Sequence, residues 1–159
     1  MSAQSSTENG ATAGIASLVR QIIAAFECIP YWFIAILARV SPAGVFWLSG
    51  RTKMDGWQIK DTAIFLFQEE YKVPLISPWL GAHLAALAEH TFPILLVLGL
   101  ATRFSAFALL IMTLVIQIFV YPHAWPTHGT WAVCFVLLMA RGPGPVSLDH
   151  LIKRRFERS

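Results

Sequence analysis

Charge is scarce in this chain: only 13% of its 159 residues are Asp, Glu, Lys or Arg. A soluble domain carries about 25%. So small a share cannot coat a globule in water, which excludes an ordinary soluble fold. Cysteine is scarcer: Cys28 and Cys134 are the two present, far apart and without a CxxC pattern. That argues against a disulfide framework or a dithiol redox centre, and both read as small packing residues. Residues 1–14 lack a basic region ahead of an apolar run, so they do not have the form of a signal peptide. Gly-rich phosphate loops, nucleophile elbows and kinase signatures are missing. So are haem, flavin and iron–sulfur patterns. The net charge is +3, yet no basic patch with interleaved aromatics points to nucleic acid, and no nucleic-acid partner is expected.

What the chain has is hydrophobicity, 56% of residues, with a mean hydropathy of +0.59. The apolar residues lie in long blocks. A hydrocarbon layer of about 30 Å takes roughly 20 apolar residues per helix, and four such helices fit here. The expected fold is all-α: an integral membrane four-helix bundle with short amphipathic flanking helices, in contact with the lipid bilayer. The blocks place spans at about 30–50, 79–100, 104–121 and 130–140. Pro122 to Gly129 is a loop, and Arg141-Gly142-Pro143-Gly144-Pro145 stops the last span. Residues 1–14 read as a disordered polar tail. Ile15, Leu18, Val19, Ile22, Ile23 and Phe26 recur at helical spacing and read as an amphipathic helix on the membrane surface. Residues 56–80 are too polar to cross lipid and read as a short surface helix followed by an extended turn. The domain is therefore 15–152, followed by a basic tail, 153–159.

Four spans put Arg20, Arg103, Arg141, Lys153, Arg154, Arg155 and Arg158 on one side. Arg51, Lys53, Lys60 and Lys72 fall on the other, mixed with acids. The positive-inside rule makes the first side cytoplasmic and puts both termini there.

Two ionisable residues fall near mid-span, Arg39 and Glu89. A charge at the bilayer centre costs at least about 2.5–3.5 kcal/mol. Adjacent antiparallel spans would put the two at similar depth, so a hydrogen-bonded Arg39–Glu89 pair is expected inside the bundle. Such a pair either locks two helices or forms a proton-linked or ligand-binding site. Glu89, Arg39 and the neighbouring His90 are the candidate catalytic groups. His83, His123 and His128 sit at predicted outer helix ends. Imidazoles with a carboxylate suit zinc, copper or iron, and they also suit proton exchange with a quinone. His83, His123 and His128 are therefore candidate metal ligands and, with Lys53, candidate ligand-binding residues. Each has a plainer reading as an interfacial hydrogen-bonding side chain. Trp125 and Trp131 read as interfacial anchors.

The order of these motifs resembles the DoxX family of small membrane proteins. Leu37-Ala38-Arg39 with Gly44, Phe46, Gly50 and Lys53 is similar to that family's first helix. Leu87-Ala88-Glu89 followed by Leu95 to Arg103 is similar to its second helix and turn. His123 and the closing Gly142-Pro143-Gly144 with Ser147-Leu148-Asp149 also match, so the likeness covers about residues 30–152. It implies a four-helix protein of the bacterial inner membrane. Relatives include a subunit of a thiosulfate:quinone oxidoreductase, and others are linked to redox complexes. The carry-over rests on Arg39, Lys53, Glu89, Arg103 and His123. The rich histidine set, the Gly50-Arg51-Thr52-Lys53 stretch, His128 and Trp131 depart from the family pattern.

Three functions remain open from sequence. The first is a membrane subunit of a quinone-linked redox system, an oxidoreductase subunit that depends on a protein partner for its electron carrier. The second is a non-enzymatic scaffold or partner anchor. The third is a metal-handling membrane protein with a bound transition metal. Small residues such as Gly44, Ala82 and Ala86 would face other helices of this chain or a second copy in a homo-oligomer.

Overall fold

The computed structural model describes residues 3–157, with side chains from Ile15 onward. The outer ends of the two expected tails, Arg158 included, lie outside the described residues. Helix α1 covers Ala3–Glu27 and so includes the polar stretch that composition reads as a tail. After Pro30 come α2, Tyr31–Lys53, and a two-residue hairpin in which β1, Met54–Asp55, pairs antiparallel with β2, Gln58–Ile59. Helix α3, Asp61–Leu66, widens into a π-helical turn over Phe67–Tyr71. Then follow α4, Pro78–Leu98, and α5, Thr102–Val115, which also ends in a π-helical turn, Ile116–Val120. Helices α6, Trp125–Arg141, and α7, Leu148–Phe156, complete the chain.

Local chemistry sets these boundaries. Ser77 caps α4 by accepting the Leu80 N–H at 3.3 Å, and Pro78 occupies the first turn, where its missing N–H is harmless. Gly99, at φ +68°, ends the helix in the left-handed conformation. The Asp149 carboxylate accepts the Ala101 and Thr102 N–H groups at 2.8 and 2.9 Å, which ties the start of α7 to the start of α5.

Helices α2, α4, α5 and α6 pack as a four-membered ring, with α2 on α4, α4 on α5, α5 on α6 and α6 on α2. Three stretches, Tyr31–Lys53, Pro78–Leu98 and Thr102–Val120, are long and apolar enough to cross a membrane. Helix α6 is shorter and lies along α5 and α2. The polarity is inverted relative to a soluble bundle. Large apolar side chains such as Leu48, Leu87, Phe104 and Val133 face outward. Arg39, Lys53, Glu89, Thr102, Ser105, Thr113 and His128 are buried. Hydrocarbon is the solvent that makes this distribution stable, because ionised and hydrogen-bonding groups then find partners inside. The chain is a membrane protein of the all-α class expected.

Small residues set the close approach of α2 and α4: Ala35, Ala38, Ala43, Ala82, Ala85 and Ala86 are buried within this chain. Gly50 is the tightest point, where an added Cβ would stand 2.8 Å from the His90 ring and 3.0 Å from the Glu89 Cβ. Gly44, by contrast, faces open space.

Candidate functional site

Glu89 does not pair with Arg39. Its carboxylate accepts two hydrogen bonds from Lys53 Nζ, at 2.8 Å on Oε2 and 3.0 Å on Oε1, and a third from the Ser49 hydroxyl at 3.2 Å. Lys53 also donates to Ser49 Oγ at 3.0 Å. Lys53 is the last residue of α2, and its side chain runs back along the helix into the bundle. Ser49 and Lys53, one helical turn apart, thus face the acid together.

Arg39 lies in the first half of the same helix, and its side chain reaches the segment between α6 and α7. Its Nη1 donates to the carbonyls of Val146 at 2.9 Å and Pro143 at 3.3 Å, and it fills the space where a Gly99 side chain would be. The expected pair fails because the midpoints of the two helices are not level. Gly50 faces Glu89 while Arg39 faces Gly99, so helical rise separates Arg39 from Glu89 by roughly 15 Å. Helix α2 also continues past its apolar block to Lys53, which delivers a nearer cation.

The histidines are dispersed. His83 stacks on Trp79 with ring centroids 3.8 Å apart, and its Nδ1 contacts the Trp79 carbonyl at 2.7 Å. His123 is exposed in the turn after α5. His90 turns away from the acid beside it. Its Nδ1 contacts the Ala86 carbonyl at 2.6 Å and its ring packs edge-on against Trp47. His128 is buried, with Nδ1 2.7 Å from Gln117 Oε1. Among the described residues no three His, Cys, Asp or Glu side chains are placed to hold a metal ion. The expected convergence of His83, His123 and His128 on a metal therefore fails on geometry, since each is engaged in, or exposed at, a different place.

Lys53, Glu89 and His128 share one cavity. It measures about 420 Å³, lies among α2, α4, α5 and the two π-helical turns, and is walled largely by apolar side chains. Ser49, Tyr71 and Tyr121 supply its other polar groups. Leu84 of α4 and Ile111 of α5 line it and are each nearly half exposed, so its rim reaches the lipid-facing seam between those helices. The His128 tautomer follows from its neighbours. Gln117 donates its amide N–H to the Pro122 carbonyl at 2.6 Å, leaving Oε1 as acceptor, so His128 donates from Nδ1. The neutral ring then keeps a lone pair on Nε2. At the mouth, the Tyr121 hydroxyl donates to Glu70 at 2.9 Å, and Tyr71 packs edge-on against Tyr121.

Sequence reasoning did not single out Ser49, Tyr71 or Tyr121. The i,i+4 spacing of Ser49 and Lys53 was the available signal for the first. Nothing local marks the tyrosines, which meet only because two distant π-helical turns touch.

An inverted-polarity four-helix bundle with a buried acid–lysine pair beside an apolar cavity defines a small multi-span membrane protein with an internal polar site. The DoxX family model matches residues 34–122, and the chain belongs to the DoxX family. An uncharacterised protein of Haemophilus influenzae is 30% identical over 133 residues, which span 76% of this chain and 84% of that protein. No solved structure matches the chain.

Proposed function

We propose that the cavity receives the headgroup of a lipid-soluble quinone, and that the chain is the membrane subunit of a redox complex in the bacterial inner membrane, with both termini cytoplasmic. The observation that carries this reading is an apolar cavity with its rim on the lipid-facing seam and with proton-handling side chains within it. A quinone carbonyl would take over one of the Lys53 N–H donors now given to Glu89 and Ser49. Neutral His128 has an acceptor for a quinol hydroxyl. Reduction of a quinone takes up two electrons and two protons. The Lys53–Glu89 pair and His128 are the groups in the cavity suited to moving the protons. The electrons come from a redox partner protein, because no haem, flavin or iron–sulfur motif is visible in the sequence.

The test is titration of purified protein in detergent with a short-tailed ubiquinone analogue, read through quenching of tryptophan fluorescence; Trp131 lines the cavity. Saturable quenching is expected, and Ala88→Phe, which fills the cavity, removes it. Quenching that is absent, or indifferent to Ala88→Phe in a folded variant, overturns the reading. If a partner co-purifies from gently solubilised membranes with a chain that binds no quinone, the scaffold role replaces it.

A further inference from the structure

We infer that the opposite end of the bundle carries a second site, one for the phosphate headgroup of an anionic membrane phospholipid. It is independent of the quinone cavity and shares no residue with it.

A pocket of about 680 Å³ lies where the starts of α2, α5 and α7 meet the end of α6. Arg103, Arg141 and Lys153 line it. The one carboxylate in the lining, Asp149, is turned onto the backbone N–H groups of Ala101 and Thr102. It keeps its charge, so the lining sets three cations against one carboxylate. Among the described residues neither Arg103 nor Arg141 has an acid within ion-pair distance, and the bridge from Lys153 to Glu157 is long, at 3.5 Å, and exposed. The Arg103 guanidinium lies alongside Gly142, within 3.7–3.8 Å of where a Cβ would stand, which brings it to the end of α6 beside Arg141. Behind the wall, buried Arg39 donates to the Pro143 carbonyl and adds further positive potential. The lining also contains Thr102, whose buried hydroxyl has no hydrogen-bond partner. Three cations facing a single carboxylate in a concave surface favour a compact anion, and two guanidiniums match phosphate oxygens in geometry.

Depth and surroundings favour a lipid over a free anion. Thr102 begins the most hydropathic span, so the pocket sits at the membrane–water boundary. Phe104, 64% exposed, and Leu151, 58% exposed, flank it with apolar surface for acyl chains. Basic pockets at helix ends on the positively charged side of a membrane protein are the setting in which anionic headgroups bind.

Native mass spectrometry of the delipidated full chain tests this. Phosphatidylglycerol and phosphatidylethanolamine are titrated in competition at equal concentration. Phosphatidylglycerol is expected to bind roughly tenfold or more tightly. The double variant R103Q/R141Q is expected to lose that preference, R103K/R141K to retain most of it, and R51Q/K60Q at the other end of the bundle to keep it whole. Equal binding of the two lipids by the unaltered chain overturns the proposal. So does a preference that persists in folded R103Q/R141Q, or one that R51Q/K60Q removes. If R103Q/R141Q does not fold, the competition on the unaltered chain and the lysine variant decide. Displacement of phosphatidylglycerol by inorganic phosphate at equal concentration would mark a free-anion site and overturn the lipid assignment.

Discussion

Lys53 Nζ stands 2.8 Å from Glu89 Oε2, and both side chains are almost wholly excluded from the surface. The pair joins the last turn of α2 to the middle of α4. Burying either charge alone would be expensive, so each residue makes the other tolerable.

Lys53→Met should destabilise the bundle by about 3–5 kcal/mol, because it strands the Glu89 carboxylate. Lys53→Met combined with Glu89→Leu should recover most of that loss, since neither charge then remains. Thermal unfolding in detergent of both single variants and the double variant gives the coupling. A double variant no more stable than Lys53→Met would contradict the pairing.

Gly50→Ala should cost about 1–3 kcal/mol by overpacking. The new methyl meets the His90 ring at 2.8 Å, and that ring is held by the Ala86 carbonyl and by Trp47. Adding His90→Ala should relieve much of the strain. Melting temperatures of the single and double variants check it.

Arg39→Leu should loosen the segment between α6 and α7, because the carbonyls of Pro143 and Val146 lose their donor. Amide exchange over residues 146–151 should quicken, while quinone-analogue binding at the far end of the bundle stays as it was. Mass-detected hydrogen exchange reads the first effect and fluorescence quenching the second.

Stability should fall in alkali. Burial, followed by the neighbouring Tyr121, raises the Tyr71 hydroxyl well above its ordinary 10.0. The hydrogen bond to Glu70, with burial second, raises Tyr121. Below pH 10 both phenols are protonated whether the chain is folded or not, and the full stability is present. As pH rises past 10 the unfolded chain ionises first, so the folded state loses ground. Melting temperatures from pH 9 to 11.5 should decline, and Tyr71→Phe with Tyr121→Phe should flatten the decline.

The spans were legible because long apolar blocks leave a membrane helix no alternative, and the family likeness is borne out over residues 34–122, short of the His123 and Gly142–Asp149 motifs that also suggested it. The partner of Glu89 was not legible. Hydropathy locates a span but not its vertical register against a neighbour, and Arg39 and Lys53 compete for the acid on that register alone. The tight hairpin carried its own signal in Gly56, the first of its two loop residues, at φ +57°. It was hidden inside a segment read only for its polarity. The outer histidines illustrate the converse. Their sequence positions suggested convergence, but aromatic stacking and local carbonyls set where each imidazole points.

Each π-helical turn holds a residue more than an α-helix would need to cover the same rise. Removing one residue from Ile116–Val120 would restore ordinary winding and leave the chain beyond it close to its present place, because the bulge is what absorbs the extra residue. It would change which side chains of that turn face the cavity, whose wall includes Ile116 and Val120. One codon gained or lost in either bulge is thus enough to reshape the chamber while the hydrophobic spans stay intact, which gives descendants of this sequence a cheap route to new ligands.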